Sequence, residues 1–198
     1  FDNYDVTRFD QLILRGCSAD GWPIRWESDG GTYIRDQHMR DMMADMGQPA
    51  SHGIYVHLYL NGLYWGVYNL CEKAHNTFWA ENLGGNRNEY DVLKDWVELH
   101  AGSYDAWNEM TDIADGGLES TEAYQRIQGN NPDGTRNPDY PVYLNVENLI
   151  DYMIAHIHGG ADDWPGHNWW AARRRGPESL GFMFTAWDQE GICESLDP

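Results

Sequence analysis

Residues 54–70 read IYVHLYLNGLYWGVYNL: two runs of aromatic, β-branched and leucine residues on either side of Asn61-Gly62. Asn and Gly accept positive φ at both central positions of a two-residue turn, so the stretch predicts a β-hairpin. His57 inside it reads as a strand-face residue and not a metal ligand, because no second ligand sits at useful spacing. Upstream, residues 9–15 (FDQLILR) alternate and then turn apolar, as a strand entering a core does. Residues 16–31, rich in Gly, Asp and Ser, read as a loop. Between loop and hairpin, Ile34, Met39, Met42, Met43 and Met46 recur at near-helical spacing until Gly47 and Pro49 stop them. A helix is expected over residues 33–46, its methionine stripe serving as core packing and not as a cofactor box.

Downstream the pattern becomes more helical. Residues 73–83 predict a helix that stops at Gly84-Gly85, residues 90–93 a short strand ending in Lys94, and residues 101–118 another helix. Residues 129–141 (GNNPDGTRNPDYP) carry too much Gly, Pro, Asn and Asp to be anything but a loop. Helical spacing resumes over residues 146–158 through Leu149, Ile150, Met153, Ile154 and Ile157. The turn-rich GGADDWPGHN (159–168) follows, then a strand over 169–173, a buried strand over 181–187 (GFMFTAW), and directly after it Asp188. No repeat or second domain interrupts this order, which describes one α+β domain.

Composition sets the outer bounds. The 198 residues are 41% hydrophobic and include 10 Trp and 12 Tyr, enough for one sizeable core. The formal charge of −19, from 32 acidic against 13 basic residues, argues against nucleic acid or an anionic membrane and favours basic protein segments or cations as partners. The same acidity also serves solubility. Cys17, Cys71 and Cys193 are too few and scattered for a zinc site or a disulfide scaffold, and leave room for one disulfide. No run of about 18 apolar residues exists, so no membrane insertion is expected. Phe1, standing where an initiator Met would, reads as an internal position, so the missing signal peptide says nothing about targeting.

One constellation carries chemistry. Asp163 and Asn168 have the Asp-x-x-x-x-Asn spacing of a protein-kinase catalytic loop. A carboxylate there accepts or orients the proton of an attacking hydroxyl, and an amide oxygen is a neutral, hard ligand for magnesium. Asp188, after the next apolar strand pair, stands where kinases place the acid that binds metal at the phosphates. The spacing alone is common, and Asp162 and Asp163 beginning a turn that Asn168 ends is the plainer reading. The order of helix, acid-and-amide loop, strand pair and acid is what strengthens it. Asp162 competes with Asp163, which is preferred on spacing. His156 and His167 read as packing or solvent-facing groups. The run Arg173 to Arg175 is either a solvated strand end or a phosphate contact. A cation from the first strand should meet the phosphates: Arg15 is the candidate, Arg35 the substitute, and an ion-pair role the plainer alternative for each.

Taken together, FDQLILRG (9–16), the block from YIRDQHMRD to VYNLCEK (33–73), YDVLK (90–94), ENLIDYMIAHIHGGADDWPGHNWW (147–170) and FMFTAWDQE (182–190) resemble the CotH kinase family of spore-coat protein H-like atypical kinases. LNGLYWGVYNLCEK (60–73) is the most specific block. The resemblance implies an atypical, kinase-like bilobal α+β fold: a small mixed or antiparallel sheet with a packed helix over residues 1–72, then a mainly helical partial lobe over 73–198, with flanks missing. It implies transfer of the γ-phosphate of ATP to Ser or Thr of secreted or surface proteins with Mg²⁺ or Mn²⁺. Asp163 becomes the catalytic-loop acid and Asn168 and Asp188 the metal ligands. Arg15, Arg35 and Glu72 become nucleotide-side residues, the last two at positions the family commonly keeps. Gln-Glu after Asp188 departs from the kinase Phe-Gly pair. Two other functions remain open on the residues: a non-catalytic surface, coat or carbohydrate-binding module using its Trp and Tyr, and a glycoside hydrolase, for which no motif exists.

Overall fold

Asn61 and Gly62 take φ of 49° and 82°, the left-handed pair that a tight hairpin needs. The computed structural model describes residues 1, 4–21 and 31–193, so most of the loop expected over 16–31 lies outside the described residues. Strands β1 (Leu12–Arg15), β2 (Gly53–Leu60) and β3 (Leu63–Glu72) form an antiparallel sheet in the order β1-β3-β2. Helix α1 (Arg35–Asp45) lies between β1 and β2 in sequence and buries Met39 and Met43 completely. Each such methionine contributes roughly 1.5–3 kcal/mol of burial. Arg40 on the same helix is also buried, donating to Ser51 O at 3.0 Å and Asn69 Oδ1 at 2.7 Å and so fastening α1 to β3.

The second part is built from α2 (Asn76–Leu83), β4 (Tyr90–Lys94), β5 (Glu98–Ala101), α3 (Asp105–Asp115), α4 (Thr121–Ile127), α5 (Val146–Gly159), β6 (Trp169–Arg174) and β7 (Met183–Ala186). Its four strands pair antiparallel in the order β5-β4-β6-β7. The helix expected over residues 101–118 is therefore corrected: Ala101 pairs with Val92 as the end of β5, and helix begins only at Asp105. The connecting turn places Trp96 and Val97 at φ 49° and 61°. Neither residue signals a turn, which is why the strand was not legible. Helix α4, capped by the Ser120 hydroxyl accepting from Ala123 N at 3.1 Å, is also additional to the expected elements. The 129–141 loop stays a loop, closed by an isolated bridge between Asn130 and Arg136.

Helix α5 starts where Asn145 Oδ1 accepts from Asn148 N at 2.9 Å and ends at Gly160 in the left-handed region. Met39 and Met43 share one hydrophobic cluster with Leu93, Tyr152, Phe182 and Ile192. The two parts are thus joined through common packing, which fixes α1 against the chain on both sides of β7. All three cysteines are free thiols, and among the described residues no helix is long and apolar enough to cross a membrane.

Candidate active site

The loop over residues 160–168 leaves the end of α5 and feeds β6. Its last residue is held from several directions. Asn168 N donates to Asp95 Oδ1 at 2.7 Å, Trp169 N to the same oxygen at 3.3 Å, and Gln189 Nε2 to Asn168 O at 3.0 Å. Asn168 Oδ1 meets His167 Nδ1 at 2.7 Å. Asn168 and Asp188 both take positive φ, 68° and 55°, a conformation that costs a non-glycine residue about 1–3 kcal/mol and that clusters at functional sites. Asp163 is 63% exposed, with His167 Nε2 3.6 Å away. Asp188, directly beyond β7, is 47% exposed and paired with Arg15 Nη2. Asp163, Asn168 and Asp188 all line one cleft of about 420 Å³, together with Asp162 and Glu190.

Behind the cleft lies a web of charge. The Arg15 side chain, 11% exposed, reaches from β1 to Asp36 Oδ2 at 3.3 Å, Glu190 Oε1 at 2.7 Å and Asp188, with its guanidinium 4.9 Å over the Trp187 ring. The Arg15–Asp36 contact is misaligned for a hydrogen bond and acts as charge attraction alone. Burial works against the Arg15 charge, but Asp36, Asp188 and Glu190 outweigh it and raise its pKa. Asp36 also sits 3.0 Å from Arg40 Nη2 and accepts from Gln189 N at 2.9 Å. Glu190 Oε2 accepts from Ala19 N at 2.6 Å.

Of the expected nucleotide-side residues, Arg15 touches carboxylates of the cleft, those of Asp188 and Glu190. Arg35 pairs with Asp20 at 3.6 Å and donates to Glu190 O at 3.4 Å. Glu72 is buried at the end of β3, accepts from His52 N at 3.1 Å and lines a separate narrow crevice. Asp95, Asp36, Gln189 and Glu190 were not singled out from sequence. Each acts on residues far along the chain, and only the Asp-Gln-Glu run beside Asp188 offered any local hint.

Among the described residues no three His, Cys, Asp or Glu side chains form a ready metal cluster. The cleft offers instead the carboxylate of Asp188 and the amide oxygen of Asn168. That sparse set of hard oxygens fits Mg²⁺, which is commonly held by one or two carboxylates, substrate phosphates and water.

His156 ties the loop to α5 from beneath. It is fully buried, packs with its ring centroid 5.2 Å from that of Trp164 at a tilt of 31°, and hydrogen-bonds Tyr152 O through Nδ1 at 2.7 Å. Nδ1 therefore carries the proton, and Nε2 has no partner. Burial lowers its pKa from 6.5 to about 4, partly offset by the Tyr152 carbonyl. The unfolded chain thus takes up this proton first as pH falls. The stabilisation is fully present above pH 6.5 and is lost down to about pH 4, amounting to about 3 kcal/mol. Urea unfolding at pH 6.5 and pH 4 should show this loss, and His156→Phe should abolish that part of the dependence.

A strand, a helix and a hairpin, then a long helix, an acid-and-amide loop, a strand pair and an acid facing the same cleft, define a protein-kinase-like domain. The model of the family described as CotH kinase protein matches residues 3–196, and the chain belongs to that family. Among curated proteins no relative matches it.

Proposed function

We propose that the chain is an atypical protein kinase that moves the γ-phosphate of ATP to Ser or Thr of secreted or surface proteins, with Mg²⁺ or Mn²⁺. The observation that supports this reading is that Asp163 and Asn168, from the loop before β6, and Asp188, beyond β7, line the same cleft. Asp163, open to solvent, orients the acceptor hydroxyl and takes its proton. The hydroxyl oxygen forms a bond to the γ-phosphorus as the bond to the bridging oxygen of ADP breaks. Arg15 presents a fixed positive charge beside Asp188, placed to offset charge on the phosphates. Asp95 and Gln189 act as positioning residues by fixing the Asn168 backbone. Asn168 and Asp188 would hold the divalent ion, whose chemistry is to neutralise the β- and γ-phosphate oxygens.

Thermal unfolding with Mg²⁺ and ATP tests the reading. At 100 times the dissociation constant the complex gains about 2.7 kcal/mol, a rise of roughly 5–10 °C for a chain of this size. The rise should need both Mg²⁺ and ATP, should disappear in Asp188→Ala, and should accompany phosphate transfer to a synthetic Arg-Ser repeat peptide. No metal-dependent rise, together with an Asp188→Ala protein that behaves as the parent does, would remove the support for a kinase.

A further inference from the structure

The run Arg173 to Arg175 divides. Arg174 pairs with Glu89 at 2.8 Å and Arg175 with Asp91 at 2.5 Å, whereas Arg173 turns inward, is buried and meets no carboxylate within 4.0 Å among the described residues. In a chain with 32 acidic residues this is unusual. Every other described arginine except Arg126 and Arg136 holds a carboxylate within 4.0 Å. These three unpaired arginines gather at one place. Arg136 and Arg173 line a cavity of about 330 Å³ at the far end of β6. Arg126 lies 4.2 Å from the ring of Tyr140, a wall of that cavity.

The guanidinium groups are fixed and yet underused. Arg173 Nε donates to Val142 O at 2.7 Å, and its two Nη groups make no hydrogen bond to the described residues. Arg136 Nη1 is held by the carbonyls of Gly129, Asn137 and Tyr140, which leaves its Nε and Nη2 without a described partner. Asp91 and Glu109 act on Arg173 only at a distance, the first being taken by Arg175 and the second by the Tyr143 hydroxyl. Pro138, Tyr140, Pro141 and Pro177 supply apolar walls, and Asp139 is the one carboxylate among the lining residues.

We propose that this cavity binds the phosphoryl group of a phosphorylated Ser or Thr side chain in a protein segment, with Arg136 and Arg173 donating to its oxygens and the proline and tyrosine walls packing on the peptide. A phosphomonoester brings three acceptor oxygens and nearly two negative charges, which matches donors left open on two guanidinium groups. A carboxylate, with two oxygens and one charge, would leave part of that set unused. The site is separate from the cleft: β6 alone puts about 13 Å between Trp169 and Arg173. It rests on the arginines, not on the kinase reading.

Calorimetric titration of the full chain distinguishes the ligands. The probe is an acetylated, amidated pentapeptide of alanines with a central phosphoserine, compared with its Ser and Glu counterparts and with inorganic phosphate. The phosphopeptide is expected to bind at least about tenfold tighter than each of the others. Binding should weaken by about tenfold or more in Arg173→Met and persist in Asp163→Asn. Pro177→Glu, at an exposed rim position, places a negative charge beside the cavity without removing an arginine; it should weaken binding similarly and carries the test if Arg173→Met fails to fold. Equal binding of the Ser or Glu peptide, inorganic phosphate binding as tightly as the phosphopeptide, or phosphopeptide affinity unchanged by Pro177→Glu would each overturn the proposal.

Discussion

Asp163→Asn is expected to lower kcat for transfer to the Arg-Ser peptide by about 10²–10⁴-fold, while Mg²⁺ and ATP still raise the melting temperature. The separation follows from position. Asp163 is largely exposed, the His167 ring lies 3.6 Å from its carboxylate, and its loss leaves the Asp188 and Asn168 oxygens in place. Asp162→Asn should change kcat by only a few fold. Asp162 lies over Gly191, where an added side-chain carbon would come within 2.8 Å of its oxygen, and its tie is to that turn. Single-turnover transfer with each variant decides between the two acids. A rate unaffected by Asp163→Asn but abolished by Asp162→Asn would reverse the assignment.

Asp36→Ala should be the most destabilising single change to the web behind the cleft, by about 3–5 kcal/mol. Asp36 faces two buried cations, Arg15 and Arg40, and accepts the backbone N–H of Gln189. Its removal leaves the buried Arg40 with only the neutral acceptors Ser51 O and Asn69 Oδ1, leaves Arg15 to Asp188 and Glu190 alone, and frees the backbone N–H of Gln189 beside Asp188. Urea denaturation measures the effect. A loss below about 1 kcal/mol, the range of exposed pairs, would mean that water already shares these charges.

The hairpin was legible because Asn61-Gly62 states its geometry locally, and α5 because its apolar residues recur at helical spacing. Strand β5 was not, because its turn passes through Trp96 and Val97, residues that ordinarily avoid positive φ. For the cleft, Asp163, Asn168 and Asp188 could be picked out since kinase chemistry fixes residue types and order. Asp95 could not: its carboxylate accepts from the backbone N–H groups of residues more than 70 positions away, and no local pattern marks such a role. The case of Arg173 is similar. Sequence showed three arginines in a row, but the alternation of β6 and the positions of Glu89 and Asp91 decided which one meets no carboxylate among the described residues.

The placement of Arg15, Asp36 and Glu190 beneath the surface also bears on how the protein meets brine. Dissolved ions shorten the reach of exposed charges to about 10 Å at 0.1 M and so relieve the mutual repulsion of an envelope carrying −19. They hardly enter a pocket where those three side chains are nearly shut off from solvent. Concentrated electrolyte therefore calms the exterior while the central pairs keep their strength, a combination suited to surroundings whose salinity varies.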